Sequence, residues 1–221
     1  MSSRTVILAG ATGLVGQEIL KGLLADPAVI AVHSLGRRKP EVRHPKLSAH
    51  VVDFSALPPL PPADEVYLAL GTTIKVAGSQ AAFRAIDYDA NLAVAKTALA
   101  AGVKKVGLVS AMGADARSRV FYNRVKGELE DALATMPFEG IVIARPSLLV
   151  GNREVLGQKK RSAEVFGTVI AKMLGFLIPA NFKPIQASAV AQALLAAVPQ
   201  ARARTVLLSG AMRRDSIPAQ Q

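Results

Sequence analysis

Cysteine is absent from these 221 residues, and with it go disulfides, thiolate metal sites and cysteine nucleophiles. Tryptophan is absent too, and aromatics make up only 5% of the chain. That is too few to supply the stacking platforms of a nucleic-acid groove. No apolar run reaches the ~18 residues of a membrane span; the longest, Val165 to Ile178, is broken by Lys172 and two glycines. Carboxylates are outnumbered, 16 against 27 basic side chains, for a net charge of +11. Apart from Lys159-Lys160-Arg161 and Arg202/Arg204, the basic residues are dispersed. Such scatter fits a solvated surface with a site for an anionic cofactor better than a nucleic-acid face. The opening Met1-Ser2-Ser3-Arg4 lacks the apolar region of a signal peptide, so a cytoplasmic protein with no resident metal is expected.

What the chain does have is a glycine triplet near its start. Thr5 to Ala9 reads as a buried strand. Gly10, Gly13 and Gly16 follow at a spacing of three, and an apolar helical pattern begins at Leu14. A strand, a glycine turn and a helix in that order aim main-chain N–H groups and a helix N-terminus at a diphosphate. The triplet alone is a weak signal; its place between a strand and a helix is the confirming context.

Strand and helix patterns then alternate. Helices are expected at Leu14–Leu24, Ala81–Ala101, Arg119–Thr135 and Ala187–Val198. Strands are expected at Val29–Leu35, Ser48–Asp53, Glu65–Leu70, Lys104–Ser110, Glu139–Ala144 and Thr205–Ser209. Residues 54–62 hold four prolines, so that crossover is loop. From Arg213 onward a polar tail is expected. The pattern predicts one α/β domain over residues 1–221: a doubly wound, mostly parallel sheet of about seven strands. Residues 151–183 break the alternation and read as a substrate-side insertion with a helix from Ala163 to Leu174. Chemistry on such a sheet belongs at the carboxyl ends of its strands.

The second strand ends in Gly36-Arg37-Arg38, where an NAD site usually carries a carboxylate. An arginine pair suits the 2′-phosphate of NADP in charge and geometry, so NADP(H) is expected in preference to NAD(H). Asp53, ending the third strand, is a candidate acceptor for the adenine amino group or an ordinary cap. Tyr122 and Lys126 lie four apart on one helix face. An ammonium beside a phenol favours the phenolate, which equips Tyr122 to exchange a proton with a carbonyl oxygen. Ser110 is placed to hydrogen-bond that same oxygen, and Lys126 to reach the nicotinamide ribose.

Together Gly10-x-x-Gly13-x-x-Gly16, Ser110 and Tyr122-x-x-x-Lys126 resemble the marks of the atypical short-chain dehydrogenase/reductases, an NAD(P)-binding Rossmann family. Leu70-Gly71-Thr72-Thr73, Ser110-Ala111-Met112-Gly113-Ala114-Asp115, Lys126-Gly127-Glu128 and Arg145-Pro146 are similar to a smaller group within it. That group holds an oxidoreductase-like Tat-interacting tumour suppressor and many bacterial NAD(P)H-binding proteins. The resemblance implies that Gly10, Thr12, Gly13, Leu14 and Val15 surround the pyrophosphate and that Arg37 holds the 2′-phosphate. It places Gly71 and Thr72 along the cofactor, Ser147 and Leu148 by the nicotinamide amide, and Tyr122 and Lys126 against the nicotinamide half. Where many members carry a relay Asn, this chain has Asp87.

The first functional expectation is therefore an NADPH-dependent reductase of a small carbonyl substrate, with Tyr122 as acid, Ser110 as oxyanion partner and Lys126 as tuner. Phe166, Met173, Phe176 and Phe182 are candidates for its apolar lining. Epimerase or dehydratase chemistry uses the same site, but the short C-terminal part leaves little room for a nucleotide-sugar. An NADPH-binding sensor with little or no catalysis is the alternative from another class. The resemblance allows a monomer or a homodimer.

Overall fold

A computed structural model describes residues 3–150 and 179–214. The elements run β1 (Arg4–Ala9), α1 (Leu14–Ala25), β2 (Val29–Gly36), β3 (Leu47–Val51) and β4 (Glu65–Leu68). Then come α2 (Ile74–Ala77), α3 (Gln80–Arg84), a π-helical stretch (Ala85–Ala90) and α4 (Asn91–Ala100). After these follow β5 (Lys105–Val109), α5 (Phe121–Ala134), β6 (Gly140–Arg145) and β7 (Leu149–Val150). The chain closes with β8 (Ile185–Gln186), α6 (Ala187–Ala197), β9 (Arg204–Leu208) and α7 (Ser209–Arg214).

Seven strands form one sheet in the order β3-β2-β1-β4-β5-β6-β9, every neighbouring pair parallel. The order reverses between β1 and β4, the switch point at which such sheets bind ligands. Two-residue alternation in β1 shows how the sheet is covered on both sides. Val6 and Leu8 pack with Ile19 and Leu23 of α1 and Val190 and Leu194 of α6. Ile7 and Ala9 face the other way, onto Val94 and Ala98 of α4 and Leu129 and Leu133 of α5. The fold is the doubly wound, parallel α/β architecture expected from the alternation.

Three local differences bear on the site. The helix expected as continuous from Ala81 starts at Gln80, with the Ser79 hydroxyl accepting from the Ala82 amide at 3.0 Å. It then widens into the π-helical stretch, which carries Asp87. Residues Ser209–Arg214 form α7, overlapping the start of the expected polar tail; the chain holds this helix because Ser209 is fully buried and bonded to Ser147. A second, two-stranded parallel sheet, β7-β8, was not legible in the sequence. The expected helix Ala163–Leu174, with Phe166, Met173 and Phe176, lies outside the described residues. Phe182 lies within them and is exposed.

Candidate active site

The glycine turn is built by close approach. Gly10 has φ +89°, and a Cβ there would stand 2.5 Å from the Ala69 carbonyl oxygen. At Gly16 a Cβ would stand 1.9 Å from the Gly10 oxygen. Gly13 is different: its φ is −81°, and its nearest contact for a Cβ is ordinary, at 3.4 Å. It is the N-cap of α1, offers no side chain to the first turn, and no acidic residue follows in that turn. The helix therefore presents bare N–H groups and the positive end of its dipole, the arrangement that holds a diphosphate.

Those amides open onto a cleft of about 550 Å³ above the switch point. Gly13, Leu14 and Val15 line it from the end of β1, and Gly71 and Thr72 from the end of β4. Ser110 lines it after β5, and Ser147 and Leu148 after β6. Tyr122 and Lys126 reach it from α5, and Asp87 from the π-helical stretch. Four predicted residues lie elsewhere. Gly10 supports the turn from beneath. Thr12 faces a neighbouring pocket with Lys21, Arg38 and Glu41. Arg37 is exposed. Asp53 is exposed and accepts from the Ser55 amide at 2.9 Å and its hydroxyl at 2.7 Å, which holds its carboxyl below the usual range.

Within the cleft Lys126, Asp87, Ser110 and Ser147 all have protein partners. Lys126 Nζ stands 2.7 Å from Asp87 Oδ1, with side-chain exposures of 5% and 0%. Asp87 Oδ2 accepts from the Thr72 amide at 2.8 Å. Thr72 thus has its N–H committed to Asp87, and its hydroxyl donates to the Thr73 carbonyl at 3.5 Å. Gly71 lies over the pair; a Cβ there would be 3.5 Å from Asp87 Oδ1 and 3.9 Å from Lys126 Nζ. One turn on, buried Asn91 donates its side-chain amide to the carbonyls of Leu70, Ile86 and Asp87 at 3.1–3.2 Å. It ties the widened helix to the loop after β4.

Tyr122 packs its ring 5.4 Å from that of Phe83, and no hydrogen bond to a described protein group occupies its hydroxyl. Its helix sits close to the loop after β5 because Gly127 permits it: a Cβ there would meet the Ala116 nitrogen at 2.2 Å. Ser110 is 5% exposed and donates its hydroxyl to Glu130 Oε1 at 2.5 Å. Glu130 in turn accepts from Arg145 Nε and Nη2 at 2.6–3.2 Å. Ser147 spends its amide on the Ser209 hydroxyl at 2.7 Å and its own hydroxyl on the Lys183 carbonyl. Glu130, Asn91 and Ser209 escaped the sequence reading. Glu130, four residues after Lys126 and eight after Tyr122 on one helix face, was the recoverable one.

A doubly wound sheet with a bare-amide glycine turn at its switch point defines a dinucleotide-binding protein. The chain belongs to the NAD(P)H-binding family, whose pattern it matches over residues 10–138. It is 38% identical over 180 residues to the mitochondrial protein fmp52 of Emericella nidulans, covering 77% of this chain and 76% of that protein. Its fold is similar to that of a UDP-N-acetylglucosamine 4-epimerase from Methanobrevibacter ruminantium. There the TM-score is 0.70 at 16% identity, covering 98% of this chain and 81% of the epimerase. The Bordetella bronchiseptica enzyme WbmF, in complex with NAD+, gives a TM-score of 0.66 at 19% identity, covering 95% and 74%.

Two expectations are corrected here. WbmF and other proteins of this fold are captured with NAD, which overturns the expected preference for NADP(H). The physical reason lies in the arginines: a guanidinium selects a phosphate when its fork is held in place. Arg37 and Arg38 are both exposed, no described hydrogen bond or ion pair holds either, and Arg38 shares its pocket with the carboxylate Glu41. The expected cytoplasmic location is overturned as well, because the fungal relatives are named as mitochondrial proteins. Among the described residues no helix is long and apolar enough to cross a membrane.

Proposed function

We propose that this protein is an NAD(H)-dependent oxidoreductase of the atypical short-chain dehydrogenase/reductase kind, acting at a carbon that alternates between alcohol and carbonyl. The observation that carries this reading is one cleft lined by the α1 amides, Ser110, Tyr122 and Lys126. When bound, the nicotinamide dinucleotide supplies a hydride acceptor or donor. The first-turn amides of α1, at Leu14 and Val15, hold its diphosphate. Lys126 is anchored by Asp87 and offers its remaining protons to ribose hydroxyls. Its charge is already answered, so its part is positional more than electrostatic. Tyr122, with its hydroxyl free of described protein partners, moves the proton. Ser147 and Leu148, on the cleft wall after β6, face the substrate.

The likeness to sugar-nucleotide epimerases favours a second version of the same chemistry. In it, a hydroxyl-bearing carbon is oxidised transiently and reduced again, so no net redox change accumulates. Tyr122→Phe tests both. The variant is expected to bind NADH as the wild type does and to lose about 10²–10⁴-fold in turnover, read as net nicotinamide oxidation or reduction, or as inversion of the substrate's stereocentre. Undiminished turnover in that variant overturns the proposal.

A further inference from the structure

Resting on the reading just given, we propose that Glu130 is a positioning residue that makes Ser110 a hydrogen-bond acceptor toward the cleft. The ligand group seated on Ser110 is then a donor: a hydroxyl, not a carbonyl oxygen. The argument is a count of protons. Glu130 is 1% exposed and faces Arg145 Nη2 at 2.6 Å and Arg204 Nη2 at 3.5 Å. A carboxylate between two guanidinium groups only accepts. The hydrogen between Ser110 Oγ and Glu130 Oε1 is therefore the serine's own, and a hydroxyl has just one. What Ser110 shows the cleft is lone pairs.

Turning that proton toward a carbonyl would break a charge-assisted bond, roughly twice as strong as a neutral one, and leave a buried carboxylate oxygen short of a donor. A ligand hydroxyl has no such conflict: it donates to Ser110 when it is seated and accepts from the Tyr122 hydroxyl, and for oxidation the same single proton turns from Ser110 to an ionised Tyr122. The site thus favours the alcohol form of its substrate, and the serine departs from the oxyanion role expected from the sequence. Arg145 ends β6 and Glu130 sits on α5, so two elements packed together fix the orientation before any ligand arrives.

Two experiments test this. Neutron diffraction from wild-type crystals grown in heavy water is expected to show the Ser110 deuteron on the line to Glu130 Oε1. A deuteron directed into the cleft overturns the proposal. The second experiment measures the affinity of the NAD+-loaded protein for 1-methylcyclohexanol and for cyclohexanone. Neither can surrender a hydride from its oxygen-bearing carbon. The wild type is expected to prefer the alcohol by about tenfold, one hydrogen bond's worth of discrimination. In Glu130→Gln, Arg145 takes the amide oxygen and the amide nitrogen faces Ser110, which turns the serine proton outward. The preference is then expected to vanish or reverse, and in Ser110→Ala to vanish. A purely structural Glu130 would lower thermal stability and leave the ratio untouched. Equal affinities in a wild type that binds NAD+, absence of binding by either probe, or a preference that survives both variants overturns this proposal and leaves the dinucleotide reading standing. A wild type that fails to bind NAD+ overturns both.

Discussion

Lys126 Nζ and Asp87 Oδ1 meet 2.7 Å apart at the floor of the cleft, one from α5 and the other from the π-helical stretch before α4. The widened helix is what brings Asp87 to that place, and π-helical turns of this kind recur at functional sites. Removing one member of a buried pair leaves the other charge uncompensated, at a cost of about 3–5 kcal/mol. Asp87→Ala is therefore expected to lower the unfolding free energy in urea by about that much. The double variant Asp87→Leu/Lys126→Met is expected to recover part of the loss, since an apolar pair of similar volume removes both buried charges while the Thr72 amide still loses its acceptor. If the double variant is no more stable than the single one, the pair is not the source of the cost.

The three glycines are expected to separate into two kinds. Gly16→Ala and Gly10→Ala force a Cβ to within 1.9 Å and 2.5 Å of backbone atoms, and at Gly10 the positive φ adds about 1–2 kcal/mol of strain. Both should unfold the turn and destabilise the chain. Gly13→Ala meets only an ordinary 3.4 Å contact and should cost less than about 1 kcal/mol as a poorer N-cap. Gly13 lines the cleft beside the first-turn amides of α1, so an added methyl is expected to crowd a diphosphate there and lower NADH affinity by about tenfold or more. Thermal melts and calorimetric titration of the three variants side by side check this.

The sequence carried the frame because its signals were local. Alternating periodicity located the seven strands of the main sheet, and the glycine triplet marked the first turn, since each depends on residues within a few positions of one another. The cleft lining was legible as far as it followed strand ends: Gly71, Ser110 and Ser147 all sit there. What stayed hidden was pairing across long stretches of chain. Nothing local marks that Glu130 takes the Ser110 proton or that Ser209 takes the Ser147 amide 62 residues away. A π-helical widening is likewise silent in an Ala-rich helix. Arg37 misled for a related reason: charge type at a strand end is visible in sequence, but whether a neighbour holds the fork is not.

Cofactor choice is the next expectation. With Arg37 exposed and unheld, NADH should bind at least as tightly as NADPH. Arg37→Ala should change the NADH dissociation constant by less than about twofold and stability by no more than about 0.5 kcal/mol, as for surface substitutions in general. Fluorescence titration of both reduced nucleotides against wild type and variant decides it. An Arg37→Ala loss confined to NADPH would show that the guanidinium meets the 2′-phosphate in solution despite its exposure.

The edge of the sheet carries a pH response of its own. His33 on β2 and His50 on β3 face each other with ring nitrogens 3.2 Å apart. Burial first, and His50 second, push the His33 imidazole below its usual 6.5. A group whose folded-state value is lowered favours the neutral form in the native protein, so the unfolded chain binds the proton more readily. Its contribution to stability is thus full above about 6.5 and is lost as the pH falls from there through the folded value. Urea midpoints should drop between pH 7.5 and pH 5 at constant ionic strength, modestly because both rings are partly solvated. In His50→Gln the second imidazolium is gone, so the His33 titration followed by NMR should move back up and part of the acid loss should disappear. A His33 titration that does not move in this variant would assign the whole shift to burial.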